Sequence, residues 1–149
     1  MTGEKKTPED FFPECMKQEL ILLTKISDIT KQIEVQSRQE DMHLDGLAES
    51  RQVYIDRLKK CRNLIEKACR QLPLDKQERR KKIISGRFPK EECTPEEVKL
   101  LELGKKSYAV LHETLALDEE ARERLQQECD RLQKMVHASR KPAAQYSKQ

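Results

Sequence analysis

Apolar side chains recur at helical spacing from residue 14 onward. The first stripe consists of aliphatic residues separated by four, three and four positions: Leu22, Ile26, Ile29 and Ile33. Steps of three and four residues place side chains on one face of an α-helix. The pattern therefore predicts a first helix over about residues 14–38, and it fades in the polar stretch that follows.

A second stripe begins after this polar stretch. It contains Leu44, Leu47, Tyr54, Leu58, Cys61, Ile65, Ala68 and Leu72. Asp41 is an acceptable N-cap, so we predict a second helix over about residues 42–72, after a tight turn near residues 38–42. Pro73 ends this helix because a proline ring cannot continue the hydrogen-bond ladder. One continuous helix through both stripes is the alternative.

The clearest helix start lies at Thr94-Pro95-Glu96-Glu97. Thr94 suits the N-cap, Pro95 suits the first helical position, and Glu97 can complete a capping box. A third helix is predicted over residues 95–141, before Pro142. Its apolar positions are Leu101, Tyr108, Leu111, Leu115, Leu125, Cys129, Leu132 and Val136. We expect the part from Leu101 to Leu115 to be core.

Together these elements predict an all-α fold, an antiparallel up-down bundle of three long, coiled-coil-like helices. A basic connector, residues 73–94, supplies a short helix or loop between the second and third helices. The single domain spans residues 14–141, between a flexible arm (1–13) and a flexible tail (142–149). The third helix is predicted to be the longest. If the first two helices cover only one part of it, the rest of its stripe lacks a partner within the chain, which favours binding of a helix from another protein.

The composition favours long helices that contact one another along narrow apolar faces, and it disfavours a thick hydrophobic core. Of the 149 residues, 38% are charged and 36% hydrophobic, against roughly 45–50% apolar residues in average domains. The net charge of +3 is small. Basic residues concentrate between 75 and 90, where Arg79, Arg80, Lys81 and Lys82 form a candidate patch for phosphate contacts. A solvated linker helix is the favoured interpretation, because no aromatic platform accompanies the patch.

Signals for catalysis are absent from the sequence. The five cysteines show no CxxC spacing, and the three histidines do not cluster with them, so we predict no metal site. No phosphate-binding glycine loop or hydrolase motif occurs, so we expect no cofactor and no enzyme activity. The polar N-terminus and the lack of a long apolar run predict a cytoplasmic protein without a membrane span.

Two stretches resemble the FlgN/FliT-type flagellar export chaperones. DMHLDGLAESRQVYIDRL, residues 41–58, is similar to their second helix: an acid at the turn, paired leucines, then Arg-Gln and Ile-Asp. LALDEEARERLQQECDRLQKMVHASRKPAAQY, residues 115–146, resembles their third-helix ending, with an acidic run, a leucine soon after and a basic tail closing on a tyrosine. With the helix layout included, the resemblance covers about residues 14–146.

The resemblance implies a cytosolic chaperone that binds the C-terminal helical segments of filament-associated flagellar subunits, namely hook-filament junction or cap proteins. Such a protein delivers its client to the type III export gate or its ATPase. The client-binding residues would be Leu125, Cys129, Leu132, Met135 and Val136, with rim contacts from Arg122, Arg124 and Arg131.

Three further readings stay open at this point. Tyr146 is a candidate export-gate contact or else a plain terminal residue. The stripe from Leu125 to Val136 could instead pack within the chain or form a homodimer, as in a structural coiled-coil adaptor. A nucleic-acid-associated regulator that uses the basic patch is the weakest alternative.

Overall fold

The computed structural model describes the backbone of residues 8–39, 44 and 46–147, and side chains within residues 11–39, 44 and 46–138. This described part contains helices and no strands, which confirms the all-α class. Four α-helices are present: α1 Pro8–Gln36, α2 Leu47–Arg70, α3 Leu74–Ile84 and α4 Pro95–Ser147. A short 3-10 turn, Lys90–Glu92, precedes α4.

The first helix begins earlier than the sequence pattern predicted. It starts at Pro8 and continues through Pro13, so the expected flexible arm of residues 1–13 is wrong for residues 8–13. Proline suits the first turn of a helix, where its missing N–H costs nothing, whereas Pro13 forgoes one hydrogen bond. Continuing the helix buries Phe12 and Met16, which are 0% and 1% exposed. Residues 1–7 lie outside the described part.

The first two helices are separate, as predicted, but the second begins later than residue 42. It starts at Leu47, directly after Gly46, whose φ is 77°. A left-handed backbone of this kind suits glycine and cannot lie within an α-helix. Asp41, the predicted N-cap, lies outside the described residues.

The last helix extends beyond its predicted end. α4 runs for 53 residues to Ser147 and includes Pro142, so the predicted tail from residue 142 is helical as far as Ser147. A proline removes one hydrogen bond to the residue four positions earlier, and a helix can continue on both sides of such a gap.

α1 lies between α2 and α4. Arg62 of α2 pairs with Glu19 of α1, and Arg51 of α2 contacts Thr30. Residue numbers therefore rise along α1 as they fall along α2, so the two helices are antiparallel. α1 has most of its tertiary contacts with α2 and α4, and α3 packs mainly against α4.

The direction of α4 follows from its contacts with the same central helix. Lys31 approaches Glu113 at 3.6 Å, and Glu34 pairs with Arg124 further along both helices. α4 therefore runs parallel to α1.

The main core fills the end of the molecule where α3 joins the other helices. Its most buried side chains, at 0–1% exposure, are Phe12, Met16, Leu23, Cys69, Ile83 and Leu101. A smaller cluster of Ile29, Ile33 and Ala121 continues the contact between α1 and α4. The connector thus contributes Ile83 of α3 to the core.

The buried face of α4 differs from the predicted stripe. Tyr108 and Leu115 are 56% and 58% exposed, so the expectation that Leu101 to Leu115 forms core is only partly right. After Leu101, the buried positions of α4 are small or polar: Gly104, Ser107, Thr114 and Ala121. Small residues let neighbouring helices approach closely. No described helix is long and apolar enough to cross a membrane.

Candidate functional site

The start of α4 is held by reciprocal hydrogen bonds. The Glu97 N–H donates to Thr94 Oγ1 at 3.2 Å, and the Thr94 N–H donates to Glu97 Oε1 at 2.8 Å. This is the predicted capping box, and it satisfies two backbone donors at the helix end.

Arg79 of α3 joins this cap. Its Nε and Nη2 donate to the two carboxylate oxygens of Glu97 at 2.9 and 2.8 Å, and its guanidinium lies 4.5 Å from the ring centre of Phe88. The hydrogen bonds from Arg79, with those from Thr94, lower the pKa of Glu97 to about 2. Arg79 therefore ties α3 to the first turn of α4.

The remaining members of the predicted basic patch are divided between two environments. The Arg80 guanidinium lies 4.8 Å from the ring centre of Phe12 and is half-buried. Lys81 and Lys82 are exposed on α3. The four residues consequently do not present one continuous basic surface for phosphate groups, because two of the cations are engaged with the fold.

A charged cluster marks the point where α4 leaves α1. Glu34 is only 4% exposed and receives hydrogen bonds from Arg124 and, at 2.8 Å, from Arg38 Nε. Arg124, followed by Arg38, lowers the pKa of Glu34 against the opposing effect of burial. Nearby, Arg51 of α2 donates to Asp118 of α4 at 2.7 Å. These pairs fix the register of the three long helices, since an unpaired charge in such a place is costly.

Beyond this cluster α4 continues without cover from the described residues. Every side chain from Cys129 to Ala138 is exposed. We call residues 129–138 the exposed end of α4. Three of its large apolar side chains, Leu132, Met135 and Val136, are 48%, 56% and 46% exposed. Leu125, just before it, is half-buried.

The apolar stripe of the exposed end continues the packed face of α4. Leu125 and Leu132 lie seven and fourteen residues after Asp118, and Met135 lies fourteen residues after buried Ala121. A seven-residue spacing returns a helix to nearly the same face. The predicted client-binding residues therefore lie on the same face of α4 that packs against α1, but beyond the end of α1.

The predicted rim arginines are already engaged in the described part of the chain. Arg124 holds Glu34, Arg122 Nε lies 3.0 Å from Asp118, and Arg131 pairs with Glu128 on its own helix. The side chains of Arg122 and Arg131 are 72% and 58% exposed, whereas Arg124 belongs to the bundle. Tyr146 is helical, and its side chain lies outside the described part.

The cysteines do not form a ligand cluster. Among the described residues, no group of three or more His, Cys, Asp or Glu could hold a metal ion. Cys61 and Cys69 are buried, and burial raises the pKa of the Cys61 thiol to about 11. Cys15 and Cys93 are half-buried, and Cys129 is exposed.

Comparison of the chain with protein-family models, curated proteins and solved structures finds no significant match. Function is therefore inferred from the geometry of this molecule together with the sequence resemblance given above.

Sequence reasoning missed the charged cluster. Glu34 lies among apolar positions of α1, and Asp118 lies between apolar positions of α4, so neither carboxylate belongs to a recognisable motif. The available signal was a run of positions at steps of three and four that are small or polar apart from Leu111: Gly104, Ser107, Leu111, Thr114, Asp118 and Ala121. Such a run is the sequence pattern of a close helix contact.

Proposed function

We propose that this chain is a non-catalytic binding protein whose exposed end of α4 receives an amphipathic helical segment of a partner. The observation that carries this proposal is the exposure of Leu132, Met135 and Val136 on one face of a helix that extends past its neighbours. Helices with such a face commonly bury it against a second helix.

The helix lengths agree with a part of α4 that extends beyond α1 and is long enough to bind another helix. α4 has 53 residues and α1 has 29, which correspond to about 80 and 44 Å at the usual rise per residue. The exposed end alone spans about 15 Å, or roughly three turns. A partner helix laid along it would also reach half-buried Leu125.

Charge at the rim favours an acidic partner segment. The Arg131–Glu128 pair is solvent-accessible, with side chains 58% and 32% exposed. Ion pairs of this kind contribute little to stability, so a carboxylate of the partner can replace Glu128 at small cost. Arg122, paired with Asp118, offers a second accessible guanidinium.

The specific function that we propose is that of a cytoplasmic flagellar export chaperone, with α1, α2 and α4 as its up-down bundle. The partner would be the C-terminal helical segment of a hook-filament junction or cap protein, delivered to the export gate or its ATPase with Tyr146 as a contact. Support comes from the resemblance of residues 41–58 and 115–146 to that family. A client that folds on binding would bind with moderate affinity, which suits later release.

A homodimeric structural adaptor is the alternative from another class. The seven-residue spacing that links Asp118, Leu125 and Leu132 also suits a coiled coil between two copies. In that case the same side chains would be buried before any client arrives. A nucleic-acid role is weaker, since Arg79 and Arg80 are engaged with Glu97 and Phe12.

The test is hydrogen exchange on the full chain, alone and with synthetic C-terminal segments of flagellar junction and cap proteins, together with sedimentation analysis. Leu132→Glu combined with Val136→Glu places charges on the stripe. Gln127→Glu is the control for added negative charge, because it places one carboxylate at an exposed position on the opposite side of α4. The double variant should lose segment binding at least tenfold, and the control should bind as the parent does.

The outcomes distinguish the export chaperone from the homodimeric adaptor. A monomer whose residues 125–138 exchange slowly only when a segment is added supports the chaperone proposal. A stable dimer that protects these residues without a segment, and dissociates in the double variant, establishes the adaptor instead. Binding that persists in the double variant contradicts both uses of the exposed end.

A further inference from the structure

A cleft of about 310 Å³ lies at the opposite end of the molecule from the exposed end of α4. Each of the four helices contributes to its wall. The apolar part of the lining is formed by Met16 of α1, Ile65 of α2, Ile84 of α3 and Leu111 of α4. A volume of this size corresponds to the lower end of small-molecule sites.

Close backbone packing fixes one side of this cleft. Gly104 of α4 lines it, and a methyl group at this position would overlap the backbone of Ile84. Gly86 has a φ of 75°, and a Cβ there would lie 3.1 Å from the Lys105 nitrogen. Glycine is thus required where α3 turns onto α4, and the resulting contact keeps the cleft wall in place.

A buried hydroxyl in the cleft has no partner. Ser107 lines the cavity and is 5% exposed, and its Oγ makes no hydrogen bond within the described part of the chain. Buried polar groups are usually satisfied, so an unpaired hydroxyl on a residue of the cleft wall can bond a ligand atom once its side chain turns towards the cleft.

The rim of the cleft is cationic. Lys81 and Arg87 line it, and neither side chain has a carboxylate partner among the described residues. A third cation, Arg62, donates to the Glu19 carboxylate at 3.2 Å. Three cations against one carboxylate leave a net charge of +2 beside an apolar wall.

We propose that this cleft binds a small amphipathic carboxylate with an apolar body and one further oxygen along that body. The carboxylate would lie between Lys81 and Arg87, and the apolar body against Met16, Ile65 and Leu111. The Ser107 hydroxyl, after rotation of its side chain towards the cleft, would donate to the second oxygen. This site is separate from the exposed end of α4 and does not depend on the function proposed for that end.

Three related compounds test the three contacts. 4-Phenylbutyrate carries the carboxylate and the apolar body, and 4-oxo-4-phenylbutyrate adds a ketone oxygen within the body. 4-Phenylbutanol has no negative charge. Each is titrated into the isotopically labelled full chain and followed by NMR chemical shifts.

In the parent protein we expect saturable shifts at residues that line the cleft. The oxo acid should bind about fivefold more tightly than the plain acid, as one hydrogen bond allows. Ser107→Ala should abolish this difference without weakening 4-phenylbutyrate. Because the variant removes an unpaired buried hydroxyl and introduces a good helix former, it should fold normally.

Replacement of both rim cations, Lys81→Gln with Arg87→Gln, should weaken both acids about fivefold and leave the alcohol unchanged. Lys82→Gln is the matched control, because it removes a neighbouring exposed cation that does not line the cleft. The proposal is overturned if no saturable shift appears at millimolar ligand, if the alcohol binds as tightly as the acids, or if the shifts lie in residues 129–138.

Discussion

The two parts of α4 belong to one continuous helix and have opposite surroundings. From Glu97 to Ala121 one face of the helix is packed against α1 and α3, and that face is largely small or polar after Leu101. From residue 129 to 138 nothing in the described chain covers the helix, although this end carries Leu132, Met135 and Val136.

The contrast shows that whether a residue of α4 is buried depends more on how closely another helix approaches it than on the size of its side chain. Where α3 comes close, Gly104 fits the narrow gap, and Ala121 packs against Ile29 and Ile33 of α1. Tyr108 and Leu115 of the same helix are exposed. Where α1 has ended, large side chains remain in solvent. A large apolar side chain exposed on a helix adds little to the fold, and in the function proposed above these side chains contact another molecule.

The sharpest test of this contrast applies one substitution to both parts. Leu101→Ala removes a side chain that is 0% exposed and should lower the free energy of unfolding by about 3 kcal/mol. Leu132→Ala, at 48% exposure, should change it by less than about 0.5 kcal/mol. Chemical denaturation measures both. Equal losses would mean that the exposed end is packed in solution.

A second comparison tests close packing between helices, and its expected loss of stability is slightly smaller. Gly104→Val places side-chain atoms against the Ile84 backbone and should cost about 2 kcal/mol. Ala138→Val on the exposed end is the control, and its effect should stay near the helix-propensity difference, about 0.6 kcal/mol. Thermal unfolding reports both variants. A neutral Gly104→Val would show that α3 can move away from α4.

The third contrast compares two Glu–Arg pairs as a function of pH. Because the folded pKa of Glu97 is about 2 and its ordinary value is 4.5, its stabilising effect is complete above about pH 4.5. The effect is lost as pH falls towards 2. At neutral pH Glu97→Gln should cost about 1–2 kcal/mol, allowing for the exposure of Arg79.

Glu128→Gln, which breaks the exposed pair with Arg131, is the matched control. Arg131 lowers the pKa of Glu128, but the pair is exposed, so this variant should reduce the acid dependence of unfolding far less than Glu97→Gln does. Parent and variants are compared by urea denaturation at a series of pH values between neutrality and acid. If Glu97→Gln unfolds with the same pH dependence as the parent, the link between Glu97 and acid stability is wrong.

Local features of this fold could be predicted from the sequence. The capping box joins Thr94 to Glu97, three residues away, so the chain itself brings the partners together. The breaks at Pro73 and before Leu47 are likewise decided by nearby residues. The excess length of the last helix also followed from the pattern, because helix length depends only on continuity along the chain.

Features that depend on distant residues could not be predicted in this way. Arg79 was expected to contact phosphate or solvent, but it meets Glu97 only because α3 folds back onto α4. Glu34 and Arg124 are ninety residues apart in sequence. The orientation of α4 decides which face is buried: periodicity predicted Leu115 in the core, but the structure buries neighbouring Thr114 instead.

The different exposure of the five thiols makes Cys129 a natural labelling site for the exposed end of α4. Cys61 and Cys69 are buried and Cys15 and Cys93 are half-buried, whereas Cys129 stands exposed at the start of the uncovered helix. A maleimide dye at limiting concentration should therefore alkylate Cys129 first, because the electrophile must reach the sulfur. No engineered cysteine would be needed, and the fluorescence of the attached dye would change when another helix is laid along the same turn.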